Sequence, residues 1–176
     1  MKRLACAAKK RGFTLIELMT VVVIIGVLAS VAMPLVAKYL KKSKTAEAAV
    51  NLRKIYDGEV IYYLEEKTDA GGLLFSKKFA ALSATPPVST LGADKRPGNF
   101  EEAGWGAIRF NPDGPVLFSY ETSAGGEGPE ARFTARAMGA VDKDTKTSLF
   151  ERGGSVDTAP GEVSGGAAIY MLDELE

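Results

Sequence analysis

Twenty consecutive residues without a charge, Leu18 to Ala37, constrain this chain more than any other feature. Most are Val, Ile, Leu, Ala and Met. At about 1.5 Å rise per residue a helix of that length spans ~30 Å, the thickness of a bilayer's hydrocarbon core. In lipid every backbone N–H and C=O needs a partner within the segment, so the run is expected to be helical. Gly26 and Pro34 are tolerated in such a helix. Pro34 has no N–H to offer the Ser30 carbonyl, which predicts a kink or a local weak point there.

The flanks of the run separate the ways a chain can use it. The 22 basic and 22 acidic residues balance overall. Lys2, Arg3, Lys9, Lys10 and Arg11 nevertheless lie within residues 1–12, where there is no acid, so the rest of the chain carries five more acids than bases. That mildly acidic body argues against nucleic acid as a partner. A secretory signal peptide has a shorter apolar stretch and a small-residue cleavage site after it. Here the stretch is longer, and the small residue, Gly12, comes before it. A plain signal anchor accounts for the basic leader through the positive-inside rule, but Lys38, Lys41, Lys42 and Lys44 oppose the rule on the far side.

Neither reading explains Glu17, an acid at the start of the apolar run. A carboxylate deep in a bilayer costs on the order of 3 kcal/mol even on lenient insertion scales, and less near the interface. An acid in the first turn gains ~0.3–1 kcal/mol from its own helix N-terminus, which does not offset that cost. No Lys or Arg lies within one turn C-terminal to it. Cutting the chain after Gly12 would give Phe13 a free, positively charged amino group at the same membrane depth. That amine could pair with Glu17 of its own chain or of a neighbour. In the second case cleavage creates the charge that recruits the next subunit.

The stretch "RGFTLIELMTVVVIIGVLASVAMP" closely resembles the class III signal of type IV prepilins and related pseudopilins. The pattern is a short basic leader ending in Gly, then Phe-Thr-Leu-Ile-Glu and an apolar helix. Residues 9–34 match it without a gap, and weaker similarity continues through 46–66. The resemblance implies cleavage between Gly12 and Phe13 by a separate prepilin peptidase, N-methylation of Phe13, Phe13 and Glu17 as assembly residues, and Pro34 as a helix-kinking proline. The methylated amine remains a cation, so the pairing argument is unchanged.

The helix is expected to continue to Glu66, because Tyr39–Glu66 contains no proline and is rich in Ala, Lys, Glu and Leu. As one rod, residues 13–66 would measure ~80 Å. Ala49, Leu52, Tyr56, Val60 and Tyr63 recur at steps of three and four and predict one apolar face. Lys44, Glu47, Arg53 and Lys54 fall on the other side. Gly58 costs the helix about 1 kcal/mol relative to alanine. Tyr56, Tyr62 and Tyr63 read as core packing rather than a stacking platform. Gly71 and Gly72 end the helix. Residues 73–105 read as a loop-rich linker with a short helix near Ser76–Leu82. Strands are expected at 107–110, 116–122, 131–138 and 148–151, with a fifth at 167–172. In 131–138, Phe133 and Ala135 fall on one face and Arg132, Thr134 and Arg136 on the other. Short turns between strands predict an antiparallel sheet.

The expected fold is therefore α+β: a long N-terminal α-helix, half membrane-spanning and half amphipathic, packed on a small antiparallel β-sheet head, the pilin fold of the resemblance. Its organisation is a basic leader at 1–12, a transmembrane or filament-core helix at 13–37, an amphipathic helix half at 38–66, an αβ loop region at 67–105 and a β head at 106–176.

The chain has no histidine, and its single cysteine is Cys6. Without them it lacks the commonest general base, thiolate metal sites and any intramolecular disulfide. Asp142 and Asp144 resemble the start of a calcium loop, but Lys146, Thr147 and Gly153 occupy positions that an EF-hand gives to ligands and glycine. A solvated turn is the reading preferred for them, and no metal or cofactor is expected. Glu121, Glu127, Glu130 and the terminal "DELE" read as surface charge. The expected function is a structural subunit of a type IV pilus-like filament, not an enzyme. Its expected partners are copies of itself and other pilins, prepilin peptidase, the pilus or type II secretion assembly machinery, and membrane lipid before assembly. No specific nucleic acid is expected. It would lie in the bacterial cytoplasmic membrane as a single pass with the head outside, then in a cell-surface or periplasmic filament. Alternatives are a type II secretion pseudopilin, a minor pilin that primes or tips the fibre, and a membrane-anchored binding protein that never polymerises.

Overall fold

A computed structural model describes residues 12–68, 71–142, 146–157, 162–166 and 168–174. Helix α1 spans Leu15–Leu64, two residues short of the expected end at Glu66. The chain divides into an N-terminal unit through Tyr39 and a C-terminal unit from Leu40. In the first unit α1 runs through Pro34 without a break in helical structure. The large apolar side chains from Leu15 to Leu40 are 49–75% exposed, far more contiguous apolar surface than a soluble monomer leaves bare. The helix is long and apolar enough to cross a membrane.

The C-terminal unit is a head of one α1 segment and a six-stranded antiparallel sheet. Its strands are β1 (Leu82–Thr85), β2 (Ser119–Gly125), β3 (Arg132–Gly139), β4 (Ser148–Val156), β5 (Val163–Gly165) and β6 (Tyr170–Leu172). The order is β1-β2-β3-β4-β5, and β6 also pairs with β4. β5 pairs with residues 154–156 of β4 and β6 with residues 149–151. The alternation expected in β3 holds: Phe133, Ala135 and Ala137 are buried, and Arg132, Thr134 and Arg136 face outward. On that outer face Arg136 lies directly across from Glu121 of β2 and Glu151 of β4 and pairs with both.

The core joins Leu52, Ile55 and Tyr63 of α1 to aromatic side chains of the sheet and its connections. Tyr63 stacks on Phe79, which packs against Phe133, and Phe100, Trp105, Phe110 and Tyr120 form a second aromatic group. Two pairs of polar side chains are buried within this core. Asn51 Nδ2 donates to the Tyr120 hydroxyl at 2.8 Å, and Trp105 Nε1 donates to Thr85 Oγ1 at 3.1 Å. Burial pushes the Tyr120 hydroxyl pKa far up, so that hydroxyl stays neutral.

Several expectations need correction. The buried stripe of α1 is Thr45, Ala48, Asn51, Leu52, Ile55, Gly58, Glu59 and Tyr63. The expected line through Ala49, Tyr56 and Val60 runs along its half-buried border. The stripe includes polar and small residues, which an apolar-only template passes over. Lys44 and Glu47, expected on the solvent side, reach back onto the head. Lys44 Nζ donates to the Val141 carbonyl at 2.9 Å, and Glu47 accepts the Leu117 N–H at 2.8 Å. Gly58 is more than a weak helix former: a Cβ there would overlap the Ile108 carbonyl, so it permits a close approach of helix and head.

The strand expected at 107–110 is part of a 3₁₀ turn, Trp105–Ile108. Left-handed residues at Gly104 and Arg109 bound it. Burial in 107–110 does alternate, but Trp105 and Ile108 are both buried three residues apart, the period of a 3₁₀ turn. The helix expected near Ser76–Leu82 is extended chain leading into β1, because Phe79 inserts beside Tyr63 and Phe133. Neither β1, inside the expected loop-rich linker, nor β5 is among the expected strands. They are four and three residues long, too short to show a period.

Candidate assembly site at the helix start

Gly12 and Phe13 precede α1, and both are exposed, Phe13 to 91%. Thr14 is the residue before the first helical position, and Glu17 lies three residues after it. The two bond reciprocally. The Glu17 N–H donates to Thr14 Oγ1 at 3.2 Å, while Glu17 Oε2 accepts the Thr14 N–H and the Thr14 hydroxyl, each at 2.8 Å. This is a capping box, which satisfies backbone donors that a helix N-terminus otherwise leaves bare. The sequence carries its signal, Thr-x-x-Glu ahead of an apolar run, alongside the charge of Glu17. From Thr14 to Ala37 Glu17 is the only ionisable side chain, so this end of the apolar surface carries a single fixed negative charge.

The other residues singled out in the sequence lie elsewhere. Pro34 is within α1, seventeen residues past Glu17. Asp142 belongs to the head, where its carboxylate meets Lys41 Nζ at 2.5 Å. That contact gives Asp142 a lysine partner. Asp144 lies outside the described residues. Among the described residues no three His, Cys, Asp or Glu side chains gather at one point. Tyr63 is buried, and Tyr56 and Tyr62 pack against the core as half-buried neighbours. Sequence reasoning missed Glu59, a carboxylate fully buried on α1. Its only sequence signal is its position one turn before Tyr63 on the buried stripe.

Residues 7–33, which contain the Gly12–Phe13 junction and the capping box, match the family model described as the prokaryotic N-terminal methylation motif. The chain is 47% identical over 58 residues to the type IV major pilin protein PilA of Myxococcus xanthus, a third of this chain and 26% of that protein. It is 33% identical over 110 residues to the type IV major alpha-pilin of Moraxella bovis, covering 56% of this chain and 66% of the relative. The chain is a type IV prepilin-like protein. A third similarity is to the type IV major pilin protein PilE1 of Neisseria gonorrhoeae, 38% identical over 68 residues, 35% of this chain and 41% of the relative. The matched stretches thus span from about a quarter to 66% of these pilins' own lengths. No solved structure matches the prepilin-like chain.

Proposed function

We propose that this chain is a structural subunit of a type IV pilus-like filament, made as a prepilin and polymerised through its N-terminal helix. The observation that carries the reading is an exposed apolar helix with one carboxylate, Glu17, at its start, immediately after an exposed Gly12–Phe13 junction. A peptidase in the cytoplasmic membrane reaches that junction, cuts it and methylates the new Phe13 amine. The head stays outside the membrane. Before assembly, lipid covers the apolar side chains from Leu15 to Leu40. In the filament, neighbouring helices cover them instead. The described contacts of the Glu17 carboxylate are with Thr14, which caps the helix but does not neutralise the charge. The cationic amine of a neighbouring Phe13 supplies the missing charge and fixes the axial register between subunits. Buried charge is best attested in that kind of role.

Glu17→Gln tests the pairing separately from the cap, since a glutamine also completes a capping box. Membrane insertion and cleavage after Gly12, read by mass spectrometry of the N-terminus, are expected to be normal. Leaving one partner of a buried ion pair alone costs about 3 kcal/mol, so the yield of sheared filaments should fall about a hundredfold. Wild-type yield from Glu17→Gln would refute the pairing.

A further inference from the structure

The head contains a carboxylate that assembly through the N-terminal helix does not use. Glu59 is fully buried on α1. Its Oε2 accepts the Ala80 N–H at 2.9 Å, and its Oε1 is buried with no hydrogen-bond partner. Thr122 Oγ1, on β2, donates to the Ala80 carbonyl at 2.9 Å and accepts the Leu82 N–H at 3.1 Å. The extended segment 79–82 is therefore held between α1 and β2 by three polar contacts, one to Glu59 and two to Thr122. A bare carboxylate oxygen in such a place must bind a proton or find water. Water is close at hand. Ala80 also lines a solvent-open cleft of about 300 Å³, with Tyr62, Lys78, Leu82 and Ala124.

The surrounding charges leave the carboxyl largely uncompensated. Burial pushes its pKa up to about 7, against the Ala80 N–H, the Thr122 hydroxyl and Lys67, which favour the charged form. Lys67 Nζ is itself held on the Tyr62 carbonyl at 3.1 Å. Lys77 and Lys78, which lead into the segment, are exposed. On the sheet, Glu121 of β2 pairs with Arg136 of β3 on the outer face, opposite to Thr122, and Arg132 is exposed. Arg109, after the Trp105–Ile108 turn, pairs with Glu65.

We propose that Glu59 is a proton-operated latch: segment 79–82 stays closed over the buried carboxyl while it is protonated, and proton release, which leaves a bare buried charge, lets the segment part and admit water from the cleft. Phe79, stacked on Tyr63 and packed on Phe133, leaves the core as the segment parts. The latch belongs to the head and does not depend on polymerisation. It makes the start of β1 the part of the head that senses the pH of the medium.

The test uses the full chain in detergent. Infrared spectroscopy of wild type and Glu59→Gln isolates the carbonyl stretch of a protonated Glu59, and amide exchange reports on Ala80 and Leu82. In wild type the carboxyl band should titrate away with a midpoint near pH 7. Opening at Ala80, corrected for intrinsic exchange, should rise about tenfold per pH unit between pH 5 and pH 7 and level off above. In Glu59→Gln both responses should vanish. A Glu59 ionised from pH 5 upward would overturn the proposal, as would Ala80 opening that stays flat while the band titrates. If Glu59→Gln does not fold, the wild-type titration and exchange decide alone.

Discussion

Single atoms account for much of how this chain behaves. At Thr14 a hydroxyl and a backbone N–H engage Glu17, so removing that hydroxyl should fray the start of α1. Thr14→Ala is expected to cost about 1 kcal/mol of helix stability, read as faster amide exchange in the first turn of the detergent-solubilised chain. At Gly58 a single added carbon meets the Ile108 carbonyl. Gly58→Ala should therefore destabilise the head by about 1–3 kcal/mol despite alanine's better helix propensity, which a lower denaturant midpoint would reveal. Glu59 sets the pH dependence. Its carboxyl rises from an ordinary 4.5 to about 7, so the folded head binds its proton more tightly than the unfolded chain. The resulting stability is complete below pH 4.5, declines as pH rises from there to 7, and is absent above. The difference is about 3 kcal/mol, and thermal melts between pH 4.5 and 8 should show it in wild type and not in Glu59→Gln.

At the scale of elements, the helix shows which face matters. Leu52 lies inside the head, whereas Val50, two residues earlier, is 56% exposed. Leu52→Ala should cost about 2–5 kcal/mol, and Val50→Ala should stay within about 0.5 kcal/mol, measured by urea unfolding. The difference separates the buried stripe from an amphipathic pattern drawn by residue type alone. The sheet protects its β4 edge with two short strands, β5 and β6, laid end to end. Its outer face relies on Arg136 bridging two acids across neighbouring strands. Those side chains are a quarter to two-fifths exposed, so solvent screens them and their contribution is small.

At the scale of the whole molecule, the two units solve opposite problems. The C-terminal unit buries most of its apolar side chains within itself, and the N-terminal unit leaves its own exposed. A chain beginning at Leu40 is therefore expected to be soluble without detergent. It should unfold cooperatively at a temperature close to that of the head in the full chain, which calorimetry of both can compare. Loss of cooperative unfolding would mean that the head depends on the preceding helix.

The sequence by itself determined the apolar helix, its single acid and the Gly12–Phe13 junction. Those features depend on residues adjacent in the chain and on transfer into lipid, a property each side chain carries wherever it lies. It also determined the inward and outward faces of β3, where a period of two ran from Ala131 to Ala137. Tertiary structure decided what depends on distant partners. The Ile108 carbonyl makes Gly58 necessary, and Tyr63 with Phe133 turns 76–82 into extended chain rather than helix. The buried acid at Glu59 is explained only by Ala80 and Thr122, 21 and 63 residues further on. No local pattern contains such pairs, because their energy exists only once the chain has brought them together.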